Sequence, residues 1–370
     1  FRSGPEEMVM IGRTQRMAGK LVTVFGGSGF IGRHVVRHLA AQGWRVRVAV
    51  RDIEQAGFLR PAGNLGQISA IPVTIADAAS VAAAVKGADA VINLVGVLYE
   101  RGKRTFQALH VDGARRIAEA ARAAGASHLI HVSALGADAN SPSKYSRSKA
   151  AGEAAVHGAF PGATIFRPSV VFGAEDQFFN MFGCMAQISP VLPYFTNTVP
   201  HAPGGGGTKF QPVYVGDVAE AIAASVTGET HKGRTYELAG PKVYTMLEIL
   251  KIVNCETMRD RMIWGMPYIF ASVQADCGSG GACFNQGLYQ HHRQRQRTGE
   301  HGKPHRLVAL IPQEARDGER CTGVAHPWQQ RHRLGKADQH RIDEGRVFDA
   351  FDRHGHAVEG EQGPVSYTHL

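Results

Sequence analysis

From Lys20 onward the apolar positions of the chain switch repeatedly between two periods. Leu21 to Phe25 is a short apolar, β-branched run that reads as a buried strand. From Ile31 to Ala41 the apolar residues Ile31, Val35, Val36, Leu39 and Ala40 recur at helical spacing, and Arg45 to Val50 reads as a second strand. The succession continues with a strand over Ile71 to Ile75, a helix over Ala78 to Val85, a strand over Ala90 to Val95 and a longer amphipathic helix over Thr105 to Ala123. Leu129 to Val132 is a fifth strand, a helix begins near Tyr145, and Thr164 to Arg167 is a sixth strand. Such alternation predicts an α/β fold, a doubly wound parallel sheet with helices on both faces and ligands at the carboxyl ends of the strands.

The second part of the chain reads differently. Phe178 to Ile188 has helical character, Pro190 to Pro203 followed by Gly204 to Gly207 reads as a flexible loop able to cover a substrate, and helices are expected over Val218 to Ser225 and Met246 to Val253. Asp217 and Thr245 are the expected N-caps of those helices, a structural use that accounts for both polar residues. Met262 to Phe270 is apolar and aromatic but too short to span a bilayer; it reads either as a contact with a membrane surface or partner or as a buried turn. The chain thus divides into an extension (1–19), a nucleotide-type domain (20–170), a smaller lobe (171–275) and a tail (276–370).

Composition changes this picture at the two ends. The 370 residues are 44% hydrophobic, enough for a sizeable core, and no apolar run reaches the ~18 residues of a membrane span. Five cysteines at irregular spacings argue against a disulfide framework and suit a reducing compartment. The chain starts at Phe1, a targeting peptide is poorly supported, and Met8 and Met17 are candidate natural starts. The tail holds ten of the 18 histidines without sustained apolar rhythm, so it is expected not to fold and reads as GC-rich coding DNA translated out of frame or as an error of sequence assembly. Its 13 Lys plus Arg nearly cancel 12 Asp plus Glu, so the net +9 of the chain lies mostly in the folded body and no nucleic-acid tail is indicated. Cys277, Cys283, His291 and His292 fit no common zinc spacing, and no metal is expected.

The chemistry begins at the first turn. Gly26-Gly27-Ser28-Gly29-Phe30-Ile31-Gly32 has the spacing G-x-x-G-x-x-G between a strand and a helix, the context of a Rossmann dinucleotide site in which the helix N-terminus faces the phosphates. At the end of the second strand stands Arg51, followed by Asp52. An Arg there can pair with the 2′-phosphate of NADP, whereas an Asp would bond the ribose of NAD, so NADP(H) is preferred and NAD(H) remains open. Asn93-Leu94-Val95-Gly96 closes the fourth strand where a cofactor would pass. Tyr145 and Lys149, four apart on a helix, project to one side within reach of Ser133 after the fifth strand. Lysine beside a phenol lowers its pKa, and a serine can hold a substrate oxygen, which together make a proton donor and acceptor for carbonyl chemistry. An isolated Y-x-x-x-K would otherwise be an ordinary exposed pair.

Taken together, these motifs resemble the extended or atypical short-chain dehydrogenase/reductase superfamily. "FLRPAGNLGQ" (58–67), "VINLVG" (91–96), "LIHVSALGADANSPSKYSRSKAAGE" (129–153), "FRPSVVFGAEDQFFNMF" (166–182) and "FQPVYVGDVAEAI" (210–222) are similar to subunit 9 of the complex I alpha subcomplex and its bacterial relatives. The likeness covers about Lys20 to Ala275. It implies that Gly26, Ser28, Gly29, Phe30, Ile31, Gly32 and Arg51 lie along the phosphates and adenosine ribose. It also implies that Ile75, Asn93, Leu94, Val95 and Gly96 line the adenine and ribose side, with Tyr145, Lys149, Pro168 and Val170 around the nicotinamide. Many relatives place an Asp at the end of the third strand, where this chain has Thr74, which puts the adenine contact in doubt. Two functions follow. One is an NADPH-holding accessory subunit on the peripheral arm of complex I, at the cytoplasmic face of a bacterial inner membrane or the mitochondrial matrix side, not secreted, with peripheral membrane contact through 262–270. The other is a free NADP-dependent reductase or epimerase acting on a carbonyl or sugar-type substrate through catalytic Ser133, Tyr145 and Lys149.

Overall fold

Apolar strands too buried to face water on either side form the centre of the protein. A computed structural model describes residues 19–196, 206–267 and 306–308. In chain order the first half comprises β1 (Leu21–Phe25), α1 (Phe30–Ala41), β2 (Arg45–Val50), β3 (Ile68–Pro72), α2 (Ala78–Val85), β4 (Ala90–Asn93), α3 (Gly113–Ala123), β5 (His128–Val132), α4 (Lys144–Ala159) and β6 (Thr164–Pro168). Then come β7 (Val171–Phe172), α5 (Phe178–Ile188), β8 (Val191–Thr196), β9 (Lys209–Phe210), β10 (Val213–Tyr214), α6 (Val215–Ala224), β11 (Thr235–Ala239), β12 (Tyr244–Thr245), α7 (Met246–Glu256), β13 (Met262–Pro267) and β14 (Arg306–Val308). The main sheet has the order β14-β11-β6-β5-β4-β1-β2-β3, and every pair in it is parallel. Strand order reverses between β1 and β4, where such a sheet opens its ligand crevice.

Both faces of the sheet are covered. Val35, Val36 and Leu39 of α1 meet Val218 and Ile222 of α6 on one face. On the other, Val81 and Val85 of α2, Ile117, Ala118 and Ala121 of α3 and Val156 of α4 form a second apolar layer. Alanine dominates this second layer and lets the helices approach the sheet closely. A third apolar cluster lies outside the main sheet and joins Phe178 and Phe182 of α5, Leu192 and Tyr194 of β8, Phe210, and Ile249, Leu250 and Val253 of α7.

Several elements differ from the sequence expectation. The third strand ends at Pro72 rather than Ile75, because β2 pairs Val46 with Ile68, Ile68 packs into the core beside Trp44 and Leu59, and Pro72 cannot donate to a ladder. The fourth strand stops at Asn93, whose side-chain oxygen accepts the Val95 N–H at 3.0 Å and turns the chain. The expected helix from Thr105 is α-helical only from Gly113, with a π-helical turn over Gln107–Asp112 before it. The expected loop at Pro190 contains β8, paired in parallel with β13; Leu192, Tyr194 and Thr196 point inward at alternate positions. Helix α6 starts three residues early, so Asp217 lies within its first turn and Tyr214 occupies the cap. Thr245 does cap α7, in a reciprocal box with Glu248.

Met262 to Pro267 is a strand rather than a buried turn: Ile263 packs inward while Met262 and Trp264 are 63% and 60% exposed. Tyr268 to Phe270, the extension 1–18 and the candidate zinc residues lie outside the described residues. So does the tail, except that Arg306–Val308 adds a short strand beside β11. Among the described cysteines, Cys184 is a free, exposed thiol, whereas Cys255 is disulfide-bonded, a bridge the irregular spacing did not lead one to expect. No helix among the described residues is long and apolar enough to cross a membrane.

Candidate functional site

The glycine turn connects β1 to α1 beneath the crevice. Gly26 has φ +78°, a conformation that side-chain-bearing residues rarely adopt, and a Cβ there would press on the Leu94 carbonyl group at 3.2–3.3 Å. Gly32 is required by proximity: a Cβ would overlap the Gly26 carbonyl oxygen and lie 2.6 Å from Gly27 Cα. Gly29, by contrast, has φ −73° and ψ −179°, extended backbone open to any residue. Helix α1 begins there with no side-chain cap and no acidic residue in its first turn, which leaves its positive end available to an anion. Ser28 is half-buried in this turn. Ile31 sends its side chain into the core, and the Phe30 ring lies 3.2 Å from where a Gly173 Cβ would stand, so both offer mainly backbone to phosphate.

Arg51 is exposed just beyond β2. The neighbouring Asp52 accepts the Glu54 N–H at 3.0 Å and the Gln55 side-chain amide at 3.1 Å, so both of its oxygens are used locally. Arg33 was not singled out from sequence. It stacks at 4.8 Å over the ring of Phe58 and pairs with Glu175 at 3.4 Å, so an arginine right after the third motif glycine is the sequence feature that marks it.

On the far side of the switch point, Leu94 donates its N–H to the Phe25 carbonyl at 3.0 Å. Leu94 and Val95 pack against the two faces of the core, and Gly96 is exposed. Ile75 packs into the second apolar layer three residues past the end of β3, and its carbonyl accepts from Arg116 at 2.6 Å. Thr74 follows β3 with its amide bonded to Ser80, and the nearby Asp77 is used to cap α2, so no acidic side chain stands free at that strand end. Pro168 ends β6 beside Leu135, while Val170 is buried in the third apolar cluster.

The structure brings Ser133, Tyr145 and Lys149 to the carboxyl ends of β4 to β6. Ser143 caps α4, placing Tyr145 and Lys149 in its first two turns. Lys149 is 5% exposed, and its ammonium donates to the Val132 carbonyl at 3.4 Å. That ammonium would lie 3.2 Å from a Cβ on Gly96, so the glycine keeps this space open. Ser133 is 4% exposed, and its hydroxyl has no partner among the described residues.

Electrostatics depart from expectation at the phenol. Burial raises the Tyr145 pKa, and the Lys149 ammonium, 5.9 Å from the ring centre, does not reverse this. Burial also pulls Lys149 down to about 8, opposed by Glu153, which is itself clamped by Arg167 through two hydrogen bonds of 2.9 and 2.6 Å. Two histidines surround the lysine. His110 and His131 are each held near 3 by burial first and the Lys149 charge second, so both are neutral. Asn93 donates to His131 Nδ1 at 3.1 Å, which leaves the proton on a buried, unpartnered Nε2. No cluster of metal-ligating side chains occurs among the described residues.

A dinucleotide fits these residues: the Gly26 to Gly32 cradle and uncapped α1 suit phosphates, Gly96 lets main chain pass close to the buried Lys149 ammonium, and the Ser133 hydroxyl is buried without a partner among the described residues. The family described as NAD(P)H-binding matches residues 26–159. NADH dehydrogenase [ubiquinone] 1 alpha subcomplex subunit 9, mitochondrial, of Arabidopsis thaliana is 39% identical over 65% of this chain and 59% of its own length. The protein of the same name in Dictyostelium discoideum is 35% identical over 68% of each chain. The chain belongs to this subunit 9 family. A shorter match, 39% identical over 48% of this chain and 55% of the relative, is the ceramide reductase of Caulobacter vibrioides. The UDP-glucose 4-epimerase of Thermus thermophilus, in complex with NAD, shares the fold, with TM-score 0.53 and 22% identity over 67% of this chain and 86% of that one. The chain spans 59% of the length of the Arabidopsis subunit 9 protein, and the NAD(P)H-binding match includes the dinucleotide turn and the Y-x-x-x-K helix.

Proposed function

We propose that this protein is an NADP(H)-binding accessory subunit of respiratory complex I whose cofactor is mainly structural. The observation that carries the reading is family membership over some 250 residues, far more than the glycine turn alone. The cofactor preference is supported by the division of labour after β2: the Asp52 carboxylate is taken up by Glu54 N–H and the Gln55 amide, while Arg51 is exposed and available to a phosphate. Burial keeps Tyr145 as the neutral phenol, so it is not poised as a base in the unliganded protein. Assembly would place the protein against peripheral-arm subunits, at the mitochondrial matrix side or the cytoplasmic face of a bacterial inner membrane. Met262 and Trp264 on the exposed side of β13 are suited to peripheral contact there. Tyr145→Phe separates holding from chemistry. The variant is expected to bind NADPH, assemble and support quinone reduction at close to the parent rate; loss of an NADPH-dependent turnover of the isolated protein contradicts the reading.

The ceramide reductase relative favours a second reading, a free NADP-dependent reductase. In it the bound nicotinamide supplies hydride. Tyr145 would donate the proton to the carbonyl oxygen, Ser133 would hold that oxygen, and Lys149 would orient the ribose and replenish the proton. Here Tyr145→Phe is expected to cost about 10²–10⁴-fold in turnover.

A further inference from the structure

The π-helical turn before α3 has no use in the reading above, and neither does the histidine at its centre. Single π turns insert one extra residue into a helix and commonly mark functional positions. His110 is 2% exposed and makes two hydrogen bonds that join three separate segments. Its Nε2 accepts the Val97 N–H at 3.0 Å, and its Nδ1 lies 2.9 Å from Ser148 Oγ. The Ser148 hydroxyl donates onward to the Tyr145 carbonyl at 2.7 Å, so its oxygen is the acceptor from His110. The tautomer follows from this network: a neutral ring with its proton on Nδ1.

The ring is also held by its faces. Phe106 stacks on it at 5.2 Å, and Tyr145 meets it edge-on at 5.7 Å. Its backbone carbonyl lies where a Gly152 Cβ would be, so the π turn and α4 touch main chain to main chain. The amides on both sides of Gly96 are therefore tied to side chains, Val95 to Asn93 and Val97 to His110. Between those anchors, a Cβ on Gly96 would be 3.2 Å from the Lys149 ammonium and 3.8 Å from His110 Nε2.

We propose that His110 is a positioning residue for the nicotinamide half of the site, fixing the Gly96 turn against Lys149 and the first turn of α4 under Tyr145. The inference rests on the dinucleotide reading and adds to it a residue outside the Ser133, Tyr145 and Lys149 set. Phenylalanine at this place keeps the stacked ring and loses both hydrogen bonds. Glutamine restores an acceptor near the position of Nε2 and loses the aromatic stack.

The test is fluorescence titration of NADPH into the parent, His110→Phe, His110→Gln and Ser148→Ala, each with and without Lys149→Met, beside the melting temperature of the unliganded protein. His110→Phe is expected to weaken NADPH about tenfold, with His110→Gln within about threefold of the parent, the scale of one net hydrogen bond. In the Lys149→Met background the same Phe replacement is expected to change affinity by less than about twofold, because the two residues act together. A residue that merely stabilises the fold would give the same loss in both backgrounds and a fall in melting temperature, and glutamine would not rescue; that outcome overturns the inference. Unchanged affinity in His110→Phe overturns it as well. Should His110→Phe fail to fold, Ser148→Ala decides, with a loss of about threefold expected and no loss contradicting the proposal. A parent that binds no NADPH overturns the dinucleotide reading along with this one, whereas a binding parent with indifferent His110 variants overturns this one alone.

Discussion

At Gly32 one methyl group decides whether the phosphate turn can close. Gly32→Ala sets a Cβ against the Gly26 and Gly27 backbone, which cannot yield as a flexible side chain would. It is expected to abolish dinucleotide retention, while Gly29→Ala, in extended backbone with 3.2 Å of clearance to the Gly26 carbonyl, should retain it in part; bound nucleotide after gel filtration distinguishes the two. Arg51→Ala is expected to weaken NADPH by about 1.5–3 kcal/mol, the range for a charged hydrogen bond, and to spare NADH. Equal loss for both dinucleotides in a titration would remove Arg51 from the 2′-phosphate. Lys149 carries a sharper expectation, since burial lowers its pKa from 10.5 to about 8. The unfolded chain holds that proton more tightly, so the stability lost by burying the ammonium is lost in full below pH 8 and recovered as pH rises toward 10.5. Lys149→Met should therefore raise the melting temperature of the unliganded protein at neutral pH, lose that advantage above about pH 10, and still bind NADPH more weakly. The glycine spacing and Tyr145–Lys149 were legible in the sequence because each is a local pattern. The occupation of Asp52, the raised Tyr145 and the role of His110 were not, because they depend on partners and burial set by distant segments.

Among the elements, those with unambiguous periodicity were legible almost to the residue. Helix α5 begins and ends as the sequence indicates, and β1, β2, α2 and the Thr245 cap fall where expected. Boundaries moved where two registers were both apolar. In Gln67-Ile68-Ser69-Ala70-Ile71-Pro72-Val73-Thr74-Ile75, pairing with β2 selects Ile68–Pro72 rather than Ile71–Ile75 as the strand. The β8–β13 pair was hidden because its alternation is interrupted by Pro193 and its partner lies some 70 residues away, information that no local window contains. Strand β5 and the π turn carry a consequence for acid stability. His131 and His110 are neutral in the folded protein to about pH 3, whereas unfolded histidines take up a proton near 6.5. Stability from this source is complete above pH 6.5 and is lost as pH falls toward 3. A series of thermal melts between those values should show the decline, and His131→Gln should show a shallower one; an identical slope would place the acid-sensitive groups elsewhere.

The whole molecule has two surfaces to keep apart, the crevice between β1 and β4 and the exposed edge of β13. If the first holds the cofactor and the second meets partners, their defects should separate. Trp264→Lys is expected to leave NADPH affinity unchanged and to reduce the fraction assembled into complex I, read by native electrophoresis; loss of NADPH binding instead would mean that β13 supports the fold of the crevice. The fold was legible at this scale because strand-helix alternation and a glycine turn leave few arrangements for a parallel sheet. Function was less so, since Ser133, Tyr145 and Lys149 suit either holding or converting a nicotinamide. The most direct measurement is affinity purification of the tagged chain from detergent-solubilised native membranes, with bound nucleotide and co-purifying proteins quantified together. An NADP(H)-binding accessory subunit is expected to arrive with complex I subunits and close to one NADP(H) per chain; a chain that elutes alone, free of respiratory subunits, would contradict the account.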